Sequence, residues 1–329
     1  MGLIATLLNA GVFLLVAPLA TGLLSRSKAR LQLRRGPSLL QQYRDLKNLW
    51  AKRPPDLAVP SLVFVIAPYV ALFCYALAGA IIPVVFINAA GSVGSVWPGL
   101  PDGDLLLLIY LLGLATFAMG LGGMDSGAPF GQMGSSRSMF IHVMVEPGLI
   151  LSLAALALYW NTTDPASIVI QTQYLGLGGI LTHPALLLIG FSLVILALAE
   201  AGRLPFDNPS THLELTMSEH AVGIEYAGRQ WAAVKLAEML KMLLLLTLLI
   251  DLFVPGFVMP LQTPGLAILT VVAYLIKLCI AMLLLAGWES LQGQLRLRAA
   301  IRPASLATGL ALSSIALTFI SHIFPGGGR

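Results

Sequence analysis

Residues 200–241 read EAGRLPFDNPSTHLELTMSEHAVGIEYAGRQWAAVKLAEMLK. Six of the chain's 15 acidic residues fall here: Glu200, Asp207, Glu214, Glu219, Glu225 and Glu238. Long apolar runs lie on both sides of the segment. Carboxylates next to lipid are costly unless they are paired or functional, so a segment this acidic between two spans points to proton movement or to contact with a redox partner.

The rest of the chain supports a membrane setting. It has 329 residues, of which 57% are hydrophobic and only 10% charged. Soluble domains usually carry about 25% charged residues. The net charge of +4 does not suggest nucleic-acid binding. The basic residues gather in short loops, as topology signals do. The two cysteines, Cys74 and Cys279, each sit alone in an apolar run, so no metal or iron–sulfur site can be built from them. Residues 1–24 have no basic leader region and read as a retained first span.

A helical span needs about 20 apolar residues. Eight segments qualify: 3–24, 62–87, 105–122, 139–160, 183–200, 231–254, 266–288 and 304–324. The fold class is therefore all-α, a single polytopic membrane domain over 1–329. No internal repeat points to an inverted-repeat transporter. Lys and Arg fill loops 25–61, 123–138, 201–230 and 289–303 and are missing from the others. That alternation makes these four loops cytoplasmic and puts both termini outside.

The first loop is structured. Leu39, Tyr43, Leu46, Leu49 and Trp50 recur at helical spacing after Gly36-Pro37, which gives a short amphipathic helix ended by Pro54-Pro55. It lies either in the interface or against a soluble partner. Loop 123–138 is rich in Gly and Ser but lacks the Lys-Ser/Thr of a phosphate cradle. It reads either as a flexible connection or as a segment folded against another subunit.

Glu146 is set deep in the fourth span, just before Pro147, where a carboxylate normally faces an internal cavity. Lys235, Glu238 and Lys241 are spaced so that Glu238 can face either lysine, as a helix-end salt bridge or as the start of a relay. Lys277 is too central in its span to reach the interface, so it needs an internal partner. Asp251 and Glu289 fall at helix ends and read as interfacial. His142 and His183 are isolated, and His212 and His220 form no compact ligand pattern. No nucleophile–base–orienter set is present.

The sequence also resembles a family. Arg34-Arg35-Gly36-Pro37, followed by Gln42-Tyr43-Arg44-Asp45-Leu46-Lys47, is similar to the first cytoplasmic loop of the complex I subunit 1 family. Asp125-Ser126-Gly127-Ala128-Pro129-Phe130, Gly134-Ser135-Ser136-Arg137 and Val145-Glu146-Pro147 resemble its branch of membrane anchors from group 4 [NiFe] hydrogenases, of the formate hydrogenlyase and hydrogenase-4 type. Leu204-Pro205-Phe206-Asp207-Asn208-Pro209, Glu214-Leu215 and Glu225-Tyr226-Ala227-Gly228 resemble the family's third cytoplasmic loop.

The resemblance implies a tilted eight-helix bundle in a prokaryotic cell membrane that joins a peripheral redox arm to antiporter-like proton-translocating subunits. The partners implied are hydrogenase-like large and small subunits and a ferredoxin-like iron–sulfur subunit. The [NiFe] centre and the clusters would sit on those partners, with no redox centre on this chain. The implied proton path uses Glu146, Glu200, Asp207, Glu214, Glu225, Glu238, Lys241 and Lys277. The implied docking residues are Arg34, Arg35, Gly36, Pro37, Tyr43, Arg44, Asp45, Asp125, Arg137, Arg203, Pro205 and Phe206. The acidic run PSTHLELT is thinner than in many relatives, which favours the hydrogenase type over a quinone-binding one. Three alternatives stay open: a quinone-chamber subunit of a complex I-like NADH dehydrogenase, an anchor of a related complex without nickel, and a stand-alone cation/proton transporter. On the predicted topology a reporter fused after Arg329 is external; a cytoplasmic signal would contradict it.

Overall fold

The computed structural model describes residues 2–53, 61–82, 86–87, 104–207, 219–254, 259–260, 264–293 and 297–323. The chain is helical: α1 (Gly2–Leu31), α2 (Gln41–Ala51), α3 (Leu62–Ile81), α4 (Leu105–Asp125), α5 (Pro129–Trp160), α6 (Pro165–Thr182), α7 (Pro184–Glu200), α8 (Glu219–Val222), α9 (Gly228–Phe253), α10 (Pro264–Leu291) and α11 (Leu297–Ile323). Two short strands, β1 (Phe86–Ile87) and β2 (Met259–Pro260), pair in parallel and tie the connection after α3 to the one after α9.

Local chemistry sets many of the helix ends. The side chains of Ser61, Asp104 and Asp164 accept backbone N–H groups at the starts of α3, α4 and α6. Prolines open α5, α6 and α7, where a missing N–H costs nothing. Asn161 ends α5 in the left-handed region, at φ 52°.

Among the described residues, six helices are long and apolar enough to cross a membrane, or seven if α6 and α7, bent by 97°, count as one broken span. α9 falls outside that set because Glu238, Lys241 and Asp251 interrupt its apolar run. It is nevertheless the central helix. Seven consecutive residues, Met239 to Leu245, are all buried, as in a helix surrounded on every side. At about 39 Å for its 26 residues it is long enough to span. α3 packs between α4 and α9, α11 packs on α5 and α7, and α1 packs on α3, α9 and α10.

The boundaries differ from expectation in three informative places. α1 runs to Leu31, past the expected end at 24. The Gly/Ser-rich segment 123–138 is no loop: α4 continues to Asp125 and α5 starts at Pro129, leaving a three-residue turn. Residues 161–182, expected as a plain connection, contain α6, whose glycines include Gly176 at φ 67°. Three glycines and two glutamines had masked its apolar face.

Buried hydroxyls stitch the second half together. Ser192 of α7 donates to the Ala307 carbonyl of α11 at 2.8 Å and lies 2.8 Å from the Ser152 hydroxyl of α5. Interhelical hydrogen bonds within membranes average about 0.6 kcal/mol and reach about 1.7. Ser192→Ala should therefore lower stability by an amount in that range, read as a lower unfolding midpoint of the purified protein in detergent; an unchanged midpoint would count against this bond's contribution.

Candidate functional site

Four helices converge on one cluster. α5 supplies His142 and Glu146, four residues apart and so on one face. α7 ends on Glu200, which is 4% exposed. α9 supplies Glu238 and Lys241, one turn apart. The chain after α7 turns back through Gly202, at φ 57°, where a Cβ would strike the carboxylate of Glu219. Leu204 in that turn accepts the Trp288 indole N–H at 3.2 Å. Buried Glu289 holds the same turn by pairing with Lys28 and lying 3.7 Å from Arg203. Buried Asp207 then accepts the Glu219 backbone N–H at 3.0 Å and caps the short helix α8.

The result is a closed ring of alternating charge. Lys241 Nζ lies 2.8 Å from Glu219 Oε1 and 3.3 Å from Glu200 Oε1. His142 Nδ1 lies 2.9 Å from Glu200 Oε2, and His142 Nε2 lies 3.3 Å from Glu219 Oε1. Both ring nitrogens of His142 therefore face carboxylates. Next to the ring, His220 Nδ1 lies 3.3 Å from Glu238 Oε1. Consecutive residues of α8 thus hold two different residues of α9.

Burial pushes the Glu219 carboxyl up, but Lys241 and His142 beside it pull it well below the ordinary carboxylate value. The Glu238 carboxylate raises His220 to about 9 against the opposing effect of burial.

The ring separates two cavities. One, of about 20 Å³, is lined by His142, Glu146, Glu200, Thr116 and leucines of α4, α5 and α9. The other, of about 50 Å³, is lined by Tyr75, Ser138, Thr116, His142, Glu219, Glu238 and Lys241. A cavity needs roughly 10–15 Å³ to hold a water, so both can be wet. His142 and Thr116 line both. Among the described residues, no group of three or more His, Cys, Asp or Glu side chains is arranged to hold a metal ion.

The proposed proton-path residues separate into groups. Glu146, Glu200, Glu238 and Lys241 converge on the ring and its cavities. Asp207 caps α8. Glu225 is half-buried beside Tyr226, which stacks on Phe64 at 4.3 Å. Glu214 and His212 lie outside the described residues. Lys277 sits apart, donating to the Val254 carbonyl at 3.0 Å and facing the field of buried Asp251. Asp251 and Glu289, expected at the interface, are 4% and 5% exposed. Glu238 does not pair with Lys235 or Lys241 as the spacing suggested: Lys235 stands over the Trp231 ring at 5.5 Å, and Lys241 turns into the ring.

His142, expected to be isolated, is the ring's hinge, and Glu219 was no candidate. The available signal was the four-residue spacing of His142 and Glu146. The contact from α5 to α7 and α8 is long-range and has no local signature.

The docking residues also divide. Arg34, Arg35, Pro37, Arg44 and Asp125 are exposed, with Gly36, Arg137 and Pro205 less so. Asp125 also accepts the Phe64 N–H at 3.2 Å. Tyr43 donates to the Leu15 carbonyl and so fixes α2 on α1, whereas Asp45 accepts from Gln41 at 2.8 Å within α2. Phe206, 4% exposed, belongs to the core, and Arg203 points inward to Glu289. Neither offers a docking surface, because the turn they occupy folds under α10.

Because Glu238 raises the folded pKa of His220, their pairing stabilises the fold fully below about 6.5 and is lost as pH rises through about 9. The difference in thermal midpoint between the wild type and Glu238→Gln should therefore be largest below pH 6.5 and close above pH 9; a difference that grows with pH would contradict this pairing.

Known proteins share this architecture. Residues 4–320 match the family model described as NADH dehydrogenase. The chain is 33% identical to formate hydrogenlyase subunit 4 of Escherichia coli (strain K12) over 298 residues, covering 90% of this chain and 92% of that one. It is 34% identical to hydrogenase-4 component C of the same organism over 253 residues, covering 77% and 75%. Identity to NADH-quinone oxidoreductase subunit 8 of Thermus thermophilus is 30% over 259 residues, covering 76% and 68%. A chain of the membrane-bound sulfane sulfur reductase, an archaeal respiratory membrane complex, superposes with a TM-score of 0.79 at 20% identity, covering 97% of this chain and all of that one, and so shares the fold. The chain belongs to the NADH dehydrogenase family that contains complex I subunit 1.

Proposed function

We propose that this chain is the membrane anchor and proton-coupling subunit of a membrane-bound hydrogenase complex of the formate hydrogenlyase or hydrogenase-4 type, linking a peripheral redox arm to antiporter-like subunits. The relatives named formate hydrogenlyase subunit 4 and hydrogenase-4 component C support the type of complex. The ring of Lys241, Glu200, His142 and Glu219, set between two water-sized cavities, carries the proton-coupling part. The [NiFe] centre and iron–sulfur clusters belong to partner subunits in this reading, and the exposed Arg34, Arg35, Arg44 and Asp125 face the arm.

The path begins at Glu238 and His220, crosses the larger cavity to Glu219 and Lys241, passes through His142, and leaves by the smaller cavity to Glu146. An imidazole with a carboxylate at each nitrogen can accept a proton on one side and release one on the other. A change of charge at the nearest redox centre shifts the carboxyl pKa values, by one unit for about each 1.4 kcal/mol of interaction. With Lys241 and His142 both cationic the buried ring balances Glu200 and Glu219, so a proton leaving His142 unbalances it unless the field changes.

A second reading, with a quinone as electron acceptor, draws on the NADH-quinone oxidoreductase relative. Inhibitor-sensitive reduction of a quinone analogue by the purified complex would favour it.

In the assembled complex in vesicles, Glu146→Gln, Glu238→Gln and His142→Gln should each lower proton translocation by about tenfold or more, in line with the loss of a positioned proton-transfer group. Electron transfer from an artificial donor should persist. Translocation intact in Glu146→Gln and Glu238→Gln would overturn the path.

A further inference from the structure

Gly123 and Gly134, in the Gly/Ser-rich stretch around the α4–α5 turn, line neither cavity of the proton path. We propose that Gly123 and Gly134 are positioning residues: they form a notch that seats α8, so that Glu219 and His220 reach their separate partners on α5 and α9. This inference rests on the proton-coupling reading above.

α8 is only four residues long, so its position cannot come from its own hydrogen bonds. Its Ala221 and Val222 are 1% and 5% exposed. A methyl group added at Gly134 would lie 2.5 Å from Ala221 Cβ, 2.9 Å from the Ala221 carbonyl carbon and 3.0 Å from the Val222 nitrogen. Two of those three atoms are backbone, so the methyl could be accommodated only if α8 itself moved. A methyl added at Gly123 would meet the Ser135 hydroxyl and would lie 2.7 Å from Val222 Cγ1, both side-chain atoms that can rotate.

The side of α8 facing away from the notch carries the chemistry. Glu219 reaches Lys241 and His142, and His220 reaches Glu238, at separations between 2.8 and 3.3 Å. A polar contact stretched beyond about 3.6 Å is no longer a hydrogen bond, so a displacement of one ångström would separate all three pairs. Asp207 caps the start of α8 from the other direction. The glycines set how deep the helix sits, and the cap sets where it begins. Helix-weakening glycines in the last turn of α4 and the second turn of α5 thus have a packing reason.

The test is site-resolved modification of the purified complex by diethyl pyrocarbonate at pH 7, read by peptide mass spectrometry. This reagent attacks neutral imidazole, so His220 is protected while Glu238 holds its proton. Gly134→Ala should speed modification of His220 by about tenfold or more, as expected when overpacking opens a local contact. Gly123→Ala should give a smaller increase. Gly287→Ala in α10, where a methyl would meet nothing within 4 Å, should give none. Exposed His183 serves as the reference and should react equally in all variants.

That order of effects, with His183 unchanged, supports the notch. Gly134→Ala indistinguishable from Gly287→Ala overturns it. If the Gly134→Ala complex does not assemble, Gly123→Ala decides: His220 protected as in Gly287→Ala overturns the notch, and faster modification supports it. Proton translocation measured on the same samples separates the two proposals. Faster modification with unchanged translocation retains the notch and removes the coupling reading, whereas loss of both supports the two together.

Discussion

Everything in the core of this protein depends on how Lys241 is neutralised. Its ammonium group is almost completely removed from solvent, in the middle of the most buried helix. An isolated charge there would be prohibitive, and removing one partner of a buried pair typically costs about 3–5 kcal/mol. The fold answers with Glu200 from α7 and Glu219 from α8, and His142 closes the circuit from α5. This requirement brings the end of α7, the short α8 and the middle of α5 to the same depth. The turn after α7, clasped by Glu289 and Trp288, and the cap from Asp207 serve that convergence.

The same cluster gives a physical meaning to coupling over distance. Four charged or chargeable groups in contact polarise one another, and in the proposed path a field applied at the loop would be felt at Glu146 through the ring rather than across lipid. Two cavities, one on each side, have room for the waters that in the proposed path serve as the mobile carriers a fixed ring lacks. His142 borders both, and in the proposed path its protonation is the step that joins them.

Much of this was legible in the sequence. The all-α membrane class, most of the long helices and the family follow from apolar runs and loop motifs. Glu146, Glu200, Glu238 and Lys241 were marked by charge inside apolar surroundings. What escaped depends on contacts between distant segments. His142 looked solitary because its partners lie 58 and 77 positions away. Glu219 looked like one acid among several until α8 gave it a direction. The glycines at 123, 131 and 134 looked like loop because helix propensity counts against them, and only close packing with α8 and within the α4–α5 turn explains their helical state. Phe206 sits in the motif that resembles the family's third cytoplasmic loop, and Arg203 stands just before it, yet that turn is folded inward.

The central claim is that a proton reaches Glu146 only through His142. Infrared difference spectra of the complex, recorded on reduction of its redox arm, read carboxyl protonation directly. The account predicts a carboxyl band that disappears in Glu146→Gln and is also lost in His142→Gln, where no proton arrives. A band that Glu146→Gln removes but His142→Gln leaves at full intensity would contradict it.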